Sequence, residues 1–205
     1  MNTKQKRKIR DSLRLCSAIF FSWLYLPHLI IYLARKNKDI DSDIDGLMHQ
    51  IKVADSVPHW LALLNFLHHN PFFRNLFYYR IGPVASLFIS WWRPGSNTFI
   101  LPYSTKIGRG LWFAHPYSTV LNAESIGDNF HCLHCTTIGT KGGMNAEAGI
   151  RPVIGNNVSV GCHACIIGNI KIGNNVTIGA GSVVLKDVPD NCIVAGNPAK
   201  IIKRL

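Results

Sequence analysis

Hydrophobic positions between residues 154 and 189 recur with a period of six. An aliphatic residue opens each hexad, its fifth place is small or aliphatic, and glycine is second in four of the six hexads. A fixed hexapeptide period predicts a parallel β-helix, in which short strands form three faces of a prism. A β-sandwich would need longer strands with alternating polarity, which this stretch lacks. The opening positions are Ile154, Val160, Ile166, Ile172, Ile178 and Val184.

The same period extends upstream with two interruptions. One extra residue follows Phe113, and residues 140–149 leave the phase with a run of glycine and polar residues. We interpret that run as an excursion loop, and loops on a regular scaffold often carry function. The chain after Pro189 is expected to leave the β-helix. The upstream positions in phase are Leu101, Ile107, Phe113, Val120, Ile126, Cys132 and Ile138.

The amino-terminal half shows helical spacing instead. A helix is predicted to start at Asp55–Ser56 and to end by His69, and two more are predicted around residues 73–80 and 84–92. Residues 37–45 are charged and are predicted to form a linker, and residues 1–12 are predicted to be disordered. The predicted segments are a basic stretch (1–14), a helical domain (15–95), a β-helix (96–190) and a tail (191–205).

Residues 15–34 are almost wholly apolar, with basic residues on both sides and a break at Pro27–His28. A run of this length could span a bilayer. The break favours an interfacial or re-entrant helix pair that contacts the membrane surface. A hydrophobic helix buried in an oligomer is the alternative that we keep open.

The net charge of +11 indicates an acidic partner such as a membrane surface, a phosphorylated ligand or nucleic acid. Because no nucleic-acid motif accompanies the charge, we rank nucleic acid last. The six cysteines make no secreted disulfide framework, so we expect a reducing, cytoplasmic compartment, with peripheral contact at the inner face of the membrane if the apolar run binds there.

His115 and His134 each occupy the third place of a hexad and are nineteen residues apart, which is one coil plus the extra residue. Stacking of coils should therefore place both imidazoles at the same corner, about one strand spacing of 4.8 Å apart. An exposed corner does not need histidine for packing, and imidazole can accept a hydroxyl proton at neutral pH. We therefore predict catalytic roles for both.

Two cysteine pairs resemble a zinc-ribbon spacing, namely Cys132 with Cys135 and Cys162 with Cys165. The hexad register argues against a shared metal, because Cys132 should point into the core and the other three fall at different hexad places. We therefore predict no metal site.

The hexads, together with residues 106–110 before His115, residues 151–155, 179–189 and 195–200, resemble the hexapeptide acyltransferases. The most similar branch is serine acetyltransferase, with its relatives that acetylate surface sugars. The resemblance covers about residues 97–205. It implies a left-handed β-helix in a homotrimer, with acetyl-CoA as co-substrate in grooves between neighbouring subunits.

That resemblance implies that His115 is the base that deprotonates an acceptor hydroxyl. It also places the CoA site at Gly139, Thr140, Arg151, Ala164, Ser182 and Lys186.

Two positions depart from the serine acetyltransferase pattern: Ile100 stands where an aspartate orients the base, and Arg151 stands where a second histidine is found. The expected function is serine O-acetylation, as in cysteine biosynthesis. A sugar hydroxyl in polysaccharide biosynthesis is the alternative acceptor, and a non-catalytic trimeric scaffold ranks below both.

Overall fold

The computed structural model describes residues 3–35, 37–51, 57–141 and 151–205, with side chains from Ser12 onward. The chain forms two compact units, Met1–Ser96 and Asn97–Leu205. Most of the predicted excursion loop, and the predicted helix start at Asp55–Ser56, lie outside the described residues.

The first unit is helical. Its core consists of apolar side chains from α2 to α6 together with Tyr25, which is fully buried. Proline and asparagine define one helix start: Pro71 is the first residue of α5, and the Asn70 side chain accepts hydrogen bonds from the backbone N–H groups of Phe72 and Phe73. The helices are α1 (Thr3–Phe20), a 3-10 helix (Ser22–Tyr25), α2 (Leu26–Arg35), α3 (Lys38–Ile51), α4 (His59–His69), α5 (Pro71–Ile81) and α6 (Pro83–Ser90).

Three predictions for this unit are wrong. Helix α1 begins at Thr3, so the expected disordered segment is helical from that residue. The predicted charged linker belongs to α3, where the Asn37 side chain accepts a hydrogen bond from the Asp39 N–H. The apolar run breaks at Phe21–Tyr25 and not at Pro27, because proline is tolerated in the first turn of α2.

No single helix in the described ranges is long and apolar enough to cross a bilayer. Residues Ser12–Phe20 and Ser22–Arg35 reach that length only together, and they bend by 69° where they meet. The bent pair agrees in shape with the predicted helix pair, while contact with a membrane stays a prediction.

An ion pair is buried inside the helical unit. The Asp43 carboxylate of α3 accepts hydrogen bonds from Arg80 of α5 at 2.8 and 3.1 Å. The two side chains are only 1% and 5% exposed. The pair therefore fixes α3 against α5. Because both groups are buried, removal of either one would leave the other as an uncompensated charge.

His28 of α2 is fully buried, with its Nε2 atom 3.0 Å from the Tyr78 hydroxyl. Burial, and to a lesser extent the charges of Arg74 and Arg93, lowers the pKa of His28 to about 4. The ring is therefore neutral in the folded protein at neutral pH.

This neutral His28 predicts a loss of stability on acidification. The unfolded chain takes up the proton near pH 6.5, whereas the folded chain does so only near pH 4. Stability from this group is therefore complete above pH 6.5 and falls by up to about 3 kcal/mol as the pH drops towards 4. Denaturant unfolding at several pH values should show a smaller slope in this window for His28→Phe. Equal slopes for the two proteins would contradict the assignment.

The second unit is a parallel β-helix. Its strands form three parallel sheets, in the orders β1-β4-β7-β10-β13, β2-β5-β8-β11 and β3-β6-β9-β12-β14, with β15 added antiparallel to β14. The predicted fold class, a left-handed β-helix after a helical region, is confirmed. The strands are β1 (Phe99–Ile100), β2 (Lys106–Ile107), β3 (Trp112–Ala114), β4 (Thr119–Leu121), β5 (Ser125–Ile126), β6 (His131–Leu133), β7 (Thr137–Gly139), β8 (Val153–Ile154), β9 (Ser159–Val160), β10 (Cys165–Ile167), β11 (Lys171–Ile172), β12 (Thr177–Ile178), β13 (Val183–Val184), β14 (Cys192–Gly196) and β15 (Ala199–Arg204).

The predicted inward positions hold from Ile126 onward, but the first coil differs. Leu121 is fully buried where the hexad phase predicted Val120, and Phe99 is buried while Leu101 is only half-buried. The tail also differs from the prediction, because β14 continues the helix in register with β12 and only β15 turns back.

One corner of the β-helix is built from a column of asparagines with left-handed backbone. Asn129, Asn157, Asn175 and Asn191 all have φ of 55–56°. The side-chain amides of the first three donate to the amide oxygen of the asparagine in the next coil, at 2.9, 3.0 and 2.9 Å. Asparagine fits this column because it tolerates positive φ and supplies both a donor and an acceptor.

Replacing Asn157 with alanine should lower the free energy of unfolding by about 1–2 kcal/mol. Alanine is strained at positive φ, and the two solvent-exposed hydrogen bonds of the Asn157 side chain are lost. Asn157→Gly removes the same hydrogen bonds, but glycine adopts positive φ without strain. This variant should therefore lose less stability. Denaturant unfolding of the two variants tests this order, and a larger loss for glycine would contradict it.

Candidate active site

Strand pairing places His115 and His134 at equivalent points of successive coils. Ala114 of β3 pairs with Leu133 of β6, and each histidine is the next residue along its strand. His115 is exposed and has a left-handed backbone with φ of 51°. Histidine rarely adopts this conformation. Here the turn at the corner imposes it and leaves the imidazole outside the prism.

Tyr117 lies between the two histidines and was not predicted as a site residue. Its ring centroid is 6.2 Å from that of His115, nearly parallel, and 6.4 Å from that of His134. Its carbonyl accepts the N–H of Cys135 at 2.9 Å, which fixes it to the next coil. The ring is nearly half exposed, so the corner presents a flat aromatic surface beside both imidazoles.

The corner that carries Tyr117 is longer than its counterpart in the next coil. Because Ala114 pairs with Leu133 and Val120 with Thr137, residues 115–119 stand opposite residues 134–136. The insertion therefore amounts to two residues at this corner, not the single residue predicted from the phase. It supplies the length that brings the Tyr117 ring next to His115.

His163 lies at the same corner one coil further, where the strand register sets it opposite Cys135, the residue after His134. Its backbone N–H donates to the His134 carbonyl at 3.1 Å, and the two rings meet edge to face at 5.3 Å. We call the set of His115, Tyr117, His134 and His163 the corner column. His163 was not predicted as a site residue, although its corner position in the hexad was a usable signal.

The His115 imidazole has no hydrogen-bond partner among the described residues of the protein. The position fifteen residues earlier, Ile100, is half exposed and pairs with Val120 in the neighbouring strand. Ile100 therefore gives the imidazole no carboxylate, as the sequence indicated.

Arg151 is held by a network at the end of the excursion loop. Its guanidinium donates to Glu124 at 2.8 Å, to Ser104 at 2.9 Å and to the Asn122 side chain at 3.5 Å. The backbone N–H of Glu124 donates in turn to the Pro152 carbonyl at 2.8 Å. These contacts fix Arg151 to the first coils, and its role towards CoA stays a prediction.

The other predicted CoA residues fall into two groups. Gly139 and Thr140 are half-buried at the end of β7, and Lys186 is exposed. Ala164 and Ser182 are fully buried. Their side chains lie inside the prism, and the role of these two residues towards CoA stays a prediction.

His131 and Cys132 lie on β6 but outside the column. His131 stacks on Trp112 at 3.3 Å, its Nδ1 atom is 3.1 Å from the Ser159 hydroxyl, and burial lowers its pKa to about 4. Cys132 is fully enclosed, and burial raises the pKa of its thiol to about 12. Neither group suits a zinc ribbon, and the described residues contain no cluster of three metal-ligating side chains.

Comparison with known proteins supports the hexapeptide repeat found in the sequence. Residues 151–186 match the family described as bacterial transferase hexapeptide (six repeats). Serine acetyltransferase 3, mitochondrial, of Arabidopsis thaliana is 46% identical over 99 residues, which are 47% of this chain and 25% of that protein. WcaB of Escherichia coli K12, whose name assigns it to colanic acid biosynthesis as an acetyltransferase, is also 46% identical over 99 residues, 48% of this chain and 59% of WcaB. The match thus spans less than two thirds of either relative.

Solved structures extend the similarity to the helical unit. Serine acetyltransferase (CysE) of Neisseria gonorrhoeae superposes with a TM-score of 0.66 and 29% identity over 82% of this chain and 66% of that one. A serine acetyltransferase of Brucella abortus strain S19 in complex with coenzyme A gives a TM-score of 0.56 over 85% of this chain and 71% of that one. Its identity of 24% makes that second likeness one of fold alone.

Proposed function

We propose that this hexapeptide-repeat protein is an acetyl-CoA-dependent O-acetyltransferase with His115 as its general base. The observation that carries the proposal is the corner column, where the exposed His115 imidazole, without a hydrogen-bond partner among the described residues, lies beside the Tyr117 ring, which also contacts the His134 ring. A base needs this access, because it must reach the acceptor hydroxyl directly. The curated relatives are named acetyltransferases, which supports the same reaction.

The chemistry of the proposed reaction is acyl transfer. A ring nitrogen of His115 takes the proton of the acceptor hydroxyl while the hydroxyl oxygen attacks the thioester carbonyl. Backbone N–H groups of the neighbouring coil ends stabilise the oxyanion of the tetrahedral intermediate. The CoA sulfur then leaves and receives the proton, so that the imidazole is neutral again. His134 positions the acceptor and does not accept its proton.

For CoA we propose a groove between two subunits of a homotrimer. Gly139 and Thr140 would line it, and the exposed Lys186 would meet the CoA phosphates. An added Cβ at Gly139 would meet no atom of the described residues within 4 Å, so those residues leave room for a ligand there. Sedimentation tests the assembly: a monomer at micromolar concentration would contradict a site shared between subunits.

As the acceptor we propose a sugar hydroxyl of a surface polysaccharide, with serine as the second candidate. The Tyr117 ring offers a flat apolar surface for a sugar ring directly beside His115. The apolar Ile100 and the ion-paired Arg151 occupy the two positions at which this chain departs from the serine acetyltransferase pattern. The similarity to WcaB favours the same choice, whereas the serine acetyltransferases favour serine.

An acceptor screen distinguishes these candidates. The full chain is incubated with acetyl-CoA and either serine or a panel of glycans, and release of the CoA thiol is followed. We expect thiol release with a glycan and little with serine. The reverse result would assign serine as the acceptor, and no release with any acceptor would favour a non-catalytic scaffold.

A further inference from the structure

The helical unit exposes large apolar side chains in two regular stripes. In α6, Val84, Leu87, Phe88 and Trp91 follow the spacing of one helical face, and each is more than 70% exposed. Ser86 and Ile89, on the opposite side of α6, are buried. The usual polarity of a surface helix is therefore reversed, with its apolar face towards solvent.

A second stripe runs along the 3-10 helix and α2. Trp23, Leu26, Ile30 and Leu33 recur at helical spacing and are 50–64% exposed. His28 and Tyr32 lie buried on the other side of the same helix. As in α6, the opposite side of the helix already packs against the core. Folding of the helical unit therefore does not require the exposed apolar stripe.

The two stripes meet at a cleft of about 280 Å³. Trp23 and Pro27 line it from one side and Phe88, Trp91 and Trp92 from the other. We call the two stripes together with this cleft the aromatic face. Contiguous apolar surface of this kind is unusual on a protein that meets only water, and it marks an interaction site.

The segments that contain both stripes carry basic residues and no acidic ones. No Asp or Glu occurs in residues 12–38 or 56–123, which contain both stripes. Arg35 ends α2 directly after the first stripe, and Arg93 follows the second. Helix α1, which leads into the first stripe, has basic residues at Lys4, Lys6, Arg7, Lys8, Arg10 and Arg14.

We propose that the aromatic face docks on the surface of a lipid bilayer that carries anionic headgroups. Tryptophan and phenylalanine on one face with arginine and lysine at its border are the composition of an interfacial membrane contact. Anionic headgroups attract the basic border, and the apolar stripes enter the boundary between headgroups and acyl chains. A second copy of this chain fits less well, because neither stripe segment contains an Asp or Glu that could pair with the arginines of the other copy.

The test measures partition of the full chain onto phosphatidylcholine vesicles with and without phosphatidylglycerol. It needs neither acetyl-CoA nor an acceptor, so its outcome is independent of the proposed catalysis. We expect binding that increases with phosphatidylglycerol and decreases with added salt. Equal binding to both vesicle types, or binding to neither, would overturn the proposal.

Matched substitutions locate the contact. Trp91→Glu and Phe88→Glu should each lower partition by about tenfold or more, because an aromatic side chain that enters the bilayer interface on binding is replaced by a charge. Trp60→Glu, at a half-exposed tryptophan of α4 outside the aromatic face, should bind as the unaltered protein does. Circular dichroism controls for folding, which these exposed positions should not disturb.

Two results of the substitutions would overturn the assignment. Equal losses for Trp91→Glu and Trp60→Glu would show that the aromatic face is not the contact. A change in sedimentation coefficient for Trp91→Glu without vesicles would show that a second copy of the chain covers the face instead.

Discussion

Replacement of His115 should lower the turnover of acetyl transfer by about 10²–10⁴-fold, the usual contribution of a general base. His115→Ala is the direct variant, but alanine is strained at the positive φ of this residue. His115→Asn removes the base and tolerates that backbone conformation, so it separates loss of the base from distortion of the corner. Both variants should bind CoA with unchanged affinity in calorimetry, because the imidazole meets the acceptor and not the nucleotide.

The corner column supplies the controls for this experiment. His163 shares the left-handed backbone of His115, with φ of 58°, and lies at the other end of the column. His163→Asn should leave turnover nearly unchanged, and His134→Ala should have an intermediate effect through positioning. If His115→Asn retains turnover while His134→Ala loses it, the base lies one coil further along the β-helix than we propose.

The hexad period predicted most of the β-helix because each coil repeats the same requirement. A side chain fills the prism, and a turn follows it. The inward residues from Ile126 onward obey that rule without exception in the described strands. The period could not show where coils depart from equal length. Two extra residues at the Tyr117 corner and one fewer between Leu121 and Ile126 cancel to a phase shift of a single residue.

This cancellation explains why Tyr117 was missed. Counted from Phe113 in a uniform hexad, Tyr117 takes the fifth place, which gives no sign of contact with His115. In the structure, the longer corner folds it back between the histidine rings. Strand pairing, and not periodicity, identifies such a residue.

The error in α3 has a different physical origin. Four aspartates dominate residues 39–45 and suggested a solvated linker. The apolar residues Ile40, Ile44, Leu47 and Met48 nevertheless recur at helical spacing, and all four are buried. The helical spacing is therefore visible in the sequence. The aspartates favoured a solvated linker instead, because the charge pattern does not show that one of them is buried through its pairing with Arg80.

Removal of the Asp43 carboxylate should destabilise the helical unit by about 3–5 kcal/mol. Asp43→Ala leaves the Arg80 guanidinium buried without its anion, and an uncompensated buried charge has this magnitude of effect. The measurement is the free energy of the transition of the helical unit in denaturant, followed by far-ultraviolet circular dichroism. Asp45→Ala is the matched control on the same helix, because its partner His59 and the Asp45 carboxylate are 42% and 63% exposed. That control should lose about 0–1 kcal/mol.

A double variant tests whether the large effect arises from the unpaired charge. Asp43→Leu with Arg80→Met replaces both ions by apolar groups, and such replacements of buried ion pairs are often neutral or stabilising. We therefore expect the double variant to regain most of the stability that Asp43→Ala loses. If it is as unstable as Asp43→Ala, lost packing between α3 and α5 explains the effect. Equal losses in Asp43→Ala and Asp45→Ala would show that the ion pair is open to water in solution.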